Sequence, residues 1–205
     1  MQDSCAAPWA EESHLSAKSL RSLRDLNHRF LDLAGAAGAG AAWDGGYGLP
    51  AGIPARLAAL SRAQRAAAAS CPYALFDLRF HDDAHWRSRL ASEPWRVADD
   101  AGGGDALREL TRLIVFYAWH VASPAGMSAQ LLLGMRAETV EGFRRLTVDS
   151  LPALALSEAR HLGARWRECP AYWSALAHAA GGDDAAALRR IQLYGLQLAA
   201  AARLP

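Results

Sequence analysis

The chain has little of several residue types that mark common protein classes. Lys occurs once, at Lys18, and the 22 basic residues face 21 acidic ones, so that the formal net charge is only +1. This balance lacks the basic excess that proteins need for sequence-independent binding to nucleic acid backbones. The three cysteines, Cys5, Cys71 and Cys169, have no close spacing. That excludes a disulfide framework and a CxxC metal site, and it favours a reducing compartment, which we expect to be the cytoplasm.

Long hydrophobic runs and catalytic motifs are also missing from the sequence. The most apolar run, Leu113 to Val121, has nine residues and is interrupted by His120, whereas a membrane-spanning helix needs about 20 apolar residues. We therefore expect no membrane partner. The sequence contains no GxSxG, no phosphate-binding P-loop and no GxGxxG after a strand. We predict no catalytic residue, no cofactor and no metal ligand, and hence a protein that is not an enzyme.

What the sequence does contain is helical periodicity. The chain has 205 residues, of which 52% are apolar, and this is enough to form one large hydrophobic core or two small ones. Residues 1–17 are polar and aperiodic, which predicts a flexible tail. From Lys18, apolar residues recur at helical spacing as far as Ala34, and a glycine-rich connection follows at 35–50. Further helices are predicted from capping residues: Ser61 before Arg62 to Ser70, Asp82 or Asp83 before a helix to Ala91, Asp105 before a helix to Ala122, and Asp183 or Asp184 before the last helix.

One segment favours a strand instead. Ala74, Phe76, Leu78 and Phe80 alternate with other residues at the two-residue period of a half-buried strand. Its Asp77 and Arg79 fall on the polar side, where we expect a structural ion pair. The same alternation recurs at Arg160, Leu162, Ala164 and Trp166.

The recurrence extends over most of the chain. The segment from Leu20 to Leu26 resembles the segment from Leu107 to Leu113, and at an offset of 86 residues Leu60-Ser61 aligns with Leu146-Thr147 without a gap. We infer a tandem duplication with a first unit at 18–104 and a second unit, including a C-terminal helix, at 105–205. The predicted fold class is mainly α, with two repeated helical units that form an intrachain pseudo-dimer and have room for one short strand each.

The repeated segments resemble a known family. Its pattern is similar to Leu23-Arg-Asp-Leu-Asn27, Phe30-Leu31, Leu33-Ala34, Ile53 to Leu60, Ser61, Gln64 and Arg79-Phe80, and again to Leu133-Gly134-Met135, Leu146-Thr147, Leu154-Ala155 and Arg165-Trp166. On these residues the chain resembles FlhD, a subunit of the flagellar master transcriptional regulator of bacteria. The cysteine that this family places near the end of the alternating stretch falls at Phe76 and Leu162, so the associated disulfide between subunits is not expected here.

The resemblance implies a non-enzymatic regulatory protein in transcription. Such a protein acts by protein–protein interaction with a partner activator similar to FlhC, and contact with DNA is weak or indirect. Two fused copies would resemble the family's homodimer written as one chain, so we expect either a monomer with internal pseudo-symmetry or a homodimer. An adaptor or chaperone-like interaction protein without a transcriptional role is the alternative in the same structural class.

A second alternative is a small metal- or ligand-binding enzyme. The segment His81-Asp82-Asp83-Ala84-His85 places two histidines at i and i+4 with carboxylates between them, a spacing that can share a metal on a helix. The competing explanation is that Asp82 and Asp83 cap the helix. The structural explanation is favoured, and His81, Asp83 and His85 are the residues that such an enzyme would use.

The remaining candidates are basic and aromatic residues. Partner or nucleic acid contact is predicted, with a solvated face as the competing explanation, for five arginines: Arg144, Arg145, Arg160, Arg165 and Arg167. His120 and His161 are expected to be partnered core or interface histidines. Trp86, Trp119, Trp166 and Trp173 are expected in the core, and Trp9, Trp43 and Trp95 in loops where exposed aromatics can anchor partners. Cys71 is expected to be buried and inert.

Overall fold

The computed structural model describes residues 16–38, 46–92, 95, 104–123, 127–182 and 184–202. Within these residues the fold is mainly α-helical, as predicted, with one two-stranded sheet. The first half (18–104) contains α1 (Ala17–Gly38), α2 (Ile53–Ala59), α3 (Arg62–Ala69), β1 (Phe76–Asp77) and α4 (Asp83–Leu90). The second half (105–205) contains α5 (Asp105–Ala122), α6 (Met127–Leu133), α7 (Ala137–Arg144), α8 (Leu151–Glu158), β2 (Gly163–Ala164), α9 (Pro170–Gly181) and α10 (Ala185–Ala201).

Local sequence signals explain where several helices begin. The Ser61 hydroxyl accepts from the backbone N–H of Gln64, whose side chain accepts in turn from the N–H of Ser61, which is a capping box. Asp82 caps α4 and Asp184 caps α10 through their carboxylates. These three caps were predicted. At α5, by contrast, the capping residue is Gly104, and Asp105 is already the first helical residue.

Helix α1 is longer than its sequence indicated. Leu23, Phe30 and Ala34 form its buried face, as the periodicity predicts. The helix continues to Gly38, four residues into the segment predicted as a glycine-rich connection. Gly35 lies against the backbone of Ala58 in α2, so this glycine permits a close approach of two helices instead of ending the first. The predicted tail and most of the glycine-rich connection lie outside the described residues.

The sheet joins the two halves. β1 and β2 are antiparallel, with Phe76 opposite Ala164 and Asp77 opposite Gly163. Strands were predicted at both places but are shorter than the alternating segments. The reason is a left-handed turn just after each strand, because Arg79 and Trp166 have φ values of 56° and 52°. Burial alternates from Phe76 to Phe80, as predicted, whereas Leu75 is fully buried and departs from the alternation.

Helices of each half pack against helices of the other half. Helix α4 of the first half packs on α7 of the second, and α9 of the second half packs on α2 and α3 of the first. Helix α1 packs on α2, α3 and α5, and α5 packs on α8. Buried residues of both halves therefore belong to one continuous hydrophobic core. The two predicted units share this core.

Several features recur at the predicted spacing. In the described residues each half contains three helices, a two-residue strand and a further helix in the same order, with α6 and α10 as extra elements of the second half. Gly48 and Gly134, which are 86 positions apart, both have positive φ, 72° and 74°. Arg79 and Trp166 share the left-handed turn but are 87 positions apart, one more than the offset of 86 inferred from the sequence, which aligns Arg79 with Arg165. These facts agree with a tandem duplication, which itself stays a prediction.

Aromatic and sulfur residues mostly follow the sequence prediction, with two corrections. Trp86 and Trp173 are fully buried, Trp119 and Trp166 are partly buried, and Cys71 is buried. Trp95 is buried rather than exposed, with its indole N–H donating to the carbonyl of Arg89 at 2.8 Å. His120 is exposed and not a core residue. Trp9, Trp43 and Cys5 lie outside the described residues. No helix in the described ranges has both the length and the apolar character needed to cross a membrane.

Candidate functional site

A cluster of titratable side chains lies where the two halves meet. His85 comes from α4, Glu158 is the last residue of α8, and His161 lies in the 3₁₀ turn Ala159–His161 that follows. One ligand atom from each residue lies within 4.8 Å of the other two. The His85 Nε2 is 2.8 Å from the Glu158 Oε2. We call these three residues the His–Glu–His cluster.

Glu158 is the buried centre of this cluster. Its side chain is 1% exposed, against 13% for His85. It ends a helix whose other residues are almost all apolar, Leu-Pro-Ala-Leu-Ala-Leu-Ser. Since an ionised carboxylate buried without partners is strongly destabilising, its partners must compensate for the lost hydration.

Arg89 is the second partner of Glu158. It follows His85 by four residues on α4, so both side chains project from one face of that helix. The Arg89 Nε lies 2.6 Å from the Glu158 Oε1. Neither atom has a partner with hydrogen-bond geometry, however. The contact is therefore an ion pair without an aligned N–H, and Oε1 accepts no hydrogen bond within the described part of the chain.

The environment of His161 favours its neutral form. Burial is the main cause that lowers its pKa, and the positive charges of His85, Arg160 and Arg79 act in the same direction, whereas the Glu158 carboxylate opposes them. The Arg160 Nε donates to the His161 Nε2 at 3.3 Å. The rings of His85 and His161 meet edge to face with centroids 5.2 Å apart. A neutral imidazole beside a buried carboxylate can accept a proton or bind a metal ion.

The site that the metal-binding alternative would place in segment 81–85 does not form. The His81 ring is largely exposed and its Nδ1 lies 3.4 Å from Asp77. Asp82 caps α4 and also pairs with Arg79 at 2.7 Å, and Asp83 accepts from the Thr139 hydroxyl at 2.8 Å. Because α4 begins only at Asp83, His81 precedes the helix and the i, i+4 geometry does not apply. The expected pair of Asp77 with Arg79 is wrong for a related reason, since the turn at Arg79 directs its guanidinium to Asp82.

The five arginines predicted as contact residues do not form one surface. Arg165 is 7% exposed and donates from Nη1 to the carbonyl of Leu132 at 3.2 Å, with its guanidinium 4.8 Å from the ring of Trp166. It is an interior residue, which corrects its prediction as a contact residue. Arg144 and Arg145 are exposed, and both pair with Glu141 at 3.3 Å. The remaining two pair locally: Arg167 with Glu168 at 3.1 Å, and Arg160 with His161.

Sequence reasoning missed Glu158 and Arg89, although each carries a signal. Glu158 is the one charged residue in the apolar stretch 151–158, and a single carboxylate that ends such a stretch is a candidate for burial with a partner. Arg89 follows His85 at i+4. Neither signal identifies the other residue, because 69 positions separate Arg89 from Glu158.

A second polar cluster occupies a corresponding place. Cys71 lies 87 positions before Glu158, and Tyr172 lies 87 positions after His85. This separation is one position more than the offset of 86 inferred from the sequence. They lie together with Tyr73, whose hydroxyl is 3.2 Å from that of Tyr172. Burial raises the pKa of Cys71 to about 11. This thiol is therefore protonated at neutral pH and inert as a nucleophile, in agreement with the prediction for Cys71.

The opposite face of α4 borders an open cleft. It has a volume of about 720 Å³ and lies between α4 and α7, where Asp83, Arg87, Leu90, Glu138 and Gly142 are among its lining residues. Arg87 and Glu138 pair across it. The cleft is separate from the His–Glu–His cluster, because its lining residues do not include the three residues of that cluster.

Comparison with known proteins gives no assignment for the chain. No family model, no curated protein and no solved structure matches it.

Proposed function

We propose that this chain is a non-enzymatic regulatory protein of the FlhD-like kind, which acts through contact with a protein partner such as an FlhC-like activator. The observation that carries the proposal is the outer face of α10. There Leu193, Tyr194 and Leu196 are 60%, 40% and 40% exposed. Neighbouring exposed apolar side chains on one helix are typical of a surface that another protein covers.

The inner face of α10 accounts for the attachment of this helix to the fold. Gly195 and Ala199 are buried, and Leu188, Ile191 and Leu198 pack against the core. The Gln192 amide donates to the carbonyl of Ala67 in α3, so the helix is fixed to the first half as well. The outer leucines are thus not needed to hold α10 in place. Their exposure has a functional explanation in partner binding.

The residues behind the family resemblance have structural roles in this fold. Asn27 is fully buried, donates to the carbonyls of Ala69 and Tyr73, and accepts from the N–H of Leu75. Ser61 and Gln64 form the capping box of α3. Such residues support a fold similar to that of the FlhD-like family. Because they are buried or form caps, we expect the partner to contact exposed positions such as those on α10.

Site-specific photocrosslinking in cells that encode the protein tests the proposal. A photoreactive residue at Leu193 is compared with one at Val148, which is 50% exposed in a different element. The expected result is a discrete crosslinked partner at position 193 only, identified as a transcription activator or an RNA polymerase subunit. A partner without a transcriptional role would replace the proposal with the adaptor alternative. Equal crosslinking at the two positions, or none, would reject partner binding by α10.

Contact with DNA is a secondary part of the proposal. Each of the exposed residues Arg144 and Arg145 already pairs with Glu141, so little basic charge is free at this place. We expect affinity for duplex DNA no better than non-specific binding, with a Kd on the order of 10⁻⁵ M at physiological salt. Fluorescence anisotropy with labelled duplexes at several salt concentrations measures it. Sequence-specific nanomolar binding by the chain alone would contradict this part.

A further inference from the structure

We propose that His85, Glu158 and His161 form a binding site for a single transition-metal dication, with Zn²⁺ as the ion that fits best. This inference goes beyond the regulatory function and does not depend on it. The site differs from the local segment 81–85, since two of its three ligands come from the second half of the chain.

The donor set is the first argument. Two imidazole nitrogens and one carboxylate oxygen are a common three-residue set for Zn²⁺, and they leave a fourth position for water or an external ligand. Imidazole donors disfavour Mg²⁺ and Ca²⁺, which prefer oxygen ligands. The cluster contains no thiolate, so soft ions such as Cu⁺ are not favoured either.

The geometry is close to what such an ion needs. Two ligand atoms bound to tetrahedral Zn²⁺ at bond lengths of about 2.0–2.1 Å are roughly 3.3 Å apart. The His85 Nε2 and the Glu158 Oε2 are 2.8 Å apart, and the three ligand atoms all lie within 4.8 Å. Metal entry requires the first pair to open by a few tenths of an ångström and the His161 ring to move closer. This movement of the His161 ring would release its contact with the Arg160 Nε at 3.3 Å.

The surroundings of the carboxylate suit a ligand role. Arg89 faces the Oε1 of Glu158 and leaves Oε2 next to the Nε2 of His85. Metal-binding carboxylates are commonly oriented by an outer partner of this kind.

Positive charges nearby limit the expected affinity. Arg89 pairs with Glu158, Arg160 contacts His161, and Arg79 is close enough to act on the charge of His161. Each of them repels a dication. We therefore expect a dissociation constant for Zn²⁺ on the order of micromolar, well above that of structural zinc sites.

Zinc titration of the chelator-treated full-length protein, in competition with a chromophoric chelator, tests the site. We expect one equivalent of Zn²⁺ to bind, no response to Mg²⁺, and a loss of affinity of about tenfold or more in His161→Gln. His81→Gln is the matched control, because His81 is a histidine four residues before His85 whose ring points to solvent and Asp77. Its affinity should equal that of the wild type.

A measurement on the wild type keeps the test decisive if a variant does not fold. In histidine ring NMR spectra, Zn²⁺ should shift the resonances of His85 and His161 and leave those of His81 and His178 unchanged. Binding of less than about 0.2 equivalents, shifts confined to other histidines, or equal affinity in folded His161→Gln would overturn the proposal.

Discussion

Gly195 of α10 lies directly against the phenol ring of Tyr73, at a distance that leaves no room for a Cβ atom. The Tyr73 hydroxyl donates to the carbonyl of Gln192 in the same helix at 2.9 Å. A residue of the first half, just after α3, thereby receives the last helix of the chain. Because position 195 has no side chain, α10 can approach the Tyr73 ring this closely.

Gly195→Ala should destabilise the protein although alanine is the better helix former. Overlap with the Tyr73 ring costs about 1–3 kcal/mol, which exceeds the gain of about 1 kcal/mol in helix propensity. The free energy of unfolding from urea denaturation measures the difference. Gln197→Ala, at an exposed position of the same helix, should change it little. Equal stability of the two variants would show that α10 can shift without loss.

Glu158→Ala should cause a large loss of stability. The substitution leaves Arg89 and His85 partly buried without their anionic partner, and removing one member of a buried pair typically costs about 3–5 kcal/mol. Glu138→Ala is the control, because its partner Arg87 and the pair as a whole are mostly exposed, so its effect should be close to zero. Denaturation at pH 7 compares the two. Similar small losses would mean that water reaches Glu158.

Asn27→Ala should also be strongly destabilising. The side chain makes hydrogen bonds of 3.3 and 2.9 Å to two carbonyls and one of 2.8 Å to a backbone N–H. Without them, three buried backbone groups lose their partner, and we expect a loss of about 3 kcal/mol. Arg29→Ala, on the exposed side of the same helix, should be nearly neutral. A loss below about 1 kcal/mol in Asn27→Ala would indicate that water replaces the amide.

Two histidines should affect the pH dependence of stability with opposite signs. The pKa of His161 is lowered by burial, so below about pH 6.5 the unfolded chain binds the proton more readily and stability falls with acidification. The pKa of His81 is raised, chiefly by its hydrogen bond with Asp77. Its contribution is therefore present below about pH 6.5 and is lost as pH rises through the raised value.

Denaturation of wild type, His161→Gln and His81→Gln at pH 5.5 and 7.5 measures these contributions. Between these values, His161→Gln should lose less stability on acidification than the wild type, and His81→Gln should lose more. The His81 effect should be the smaller one, because its ring is 65% exposed and screened by solvent. Identical pH profiles for all three proteins would contradict both assignments.

The sequence predicts those parts of the fold that depend on neighbouring residues. The caps of α3, α4 and α10 are short-range features: Ser61 was predicted as a single residue, and Asp82 and Asp184 are each one of two adjacent aspartates predicted as the cap. The end of α1 was not, because Gly35 serves contact with α2 and this contact is invisible in the local pattern. Burial of Trp95 was also not predicted, although its indole N–H donates to a carbonyl only six residues earlier in the chain, that of Arg89.

The candidate site was predictable only in part. His85 was singled out, but the residue pair that gives it a role lies in the other half of the chain. The segment 81–85 suggested a local site because helical spacing was assumed from His81 onward, whereas the helix starts two residues later. The duplication and the resemblance to the FlhD family stay predictions.

The pairing of β1 with β2 has a consequence for fragments of this protein. Each half contributes one strand. If the chain were cut between α4 and α5, each fragment would expose an unpaired strand whose backbone N–H and C=O groups lack their hydrogen-bond partners. Helices α4 and α9 would lose their docking sites in the same event. Separately produced fragments should therefore recombine, or pair with themselves, instead of persisting as independent folded pieces.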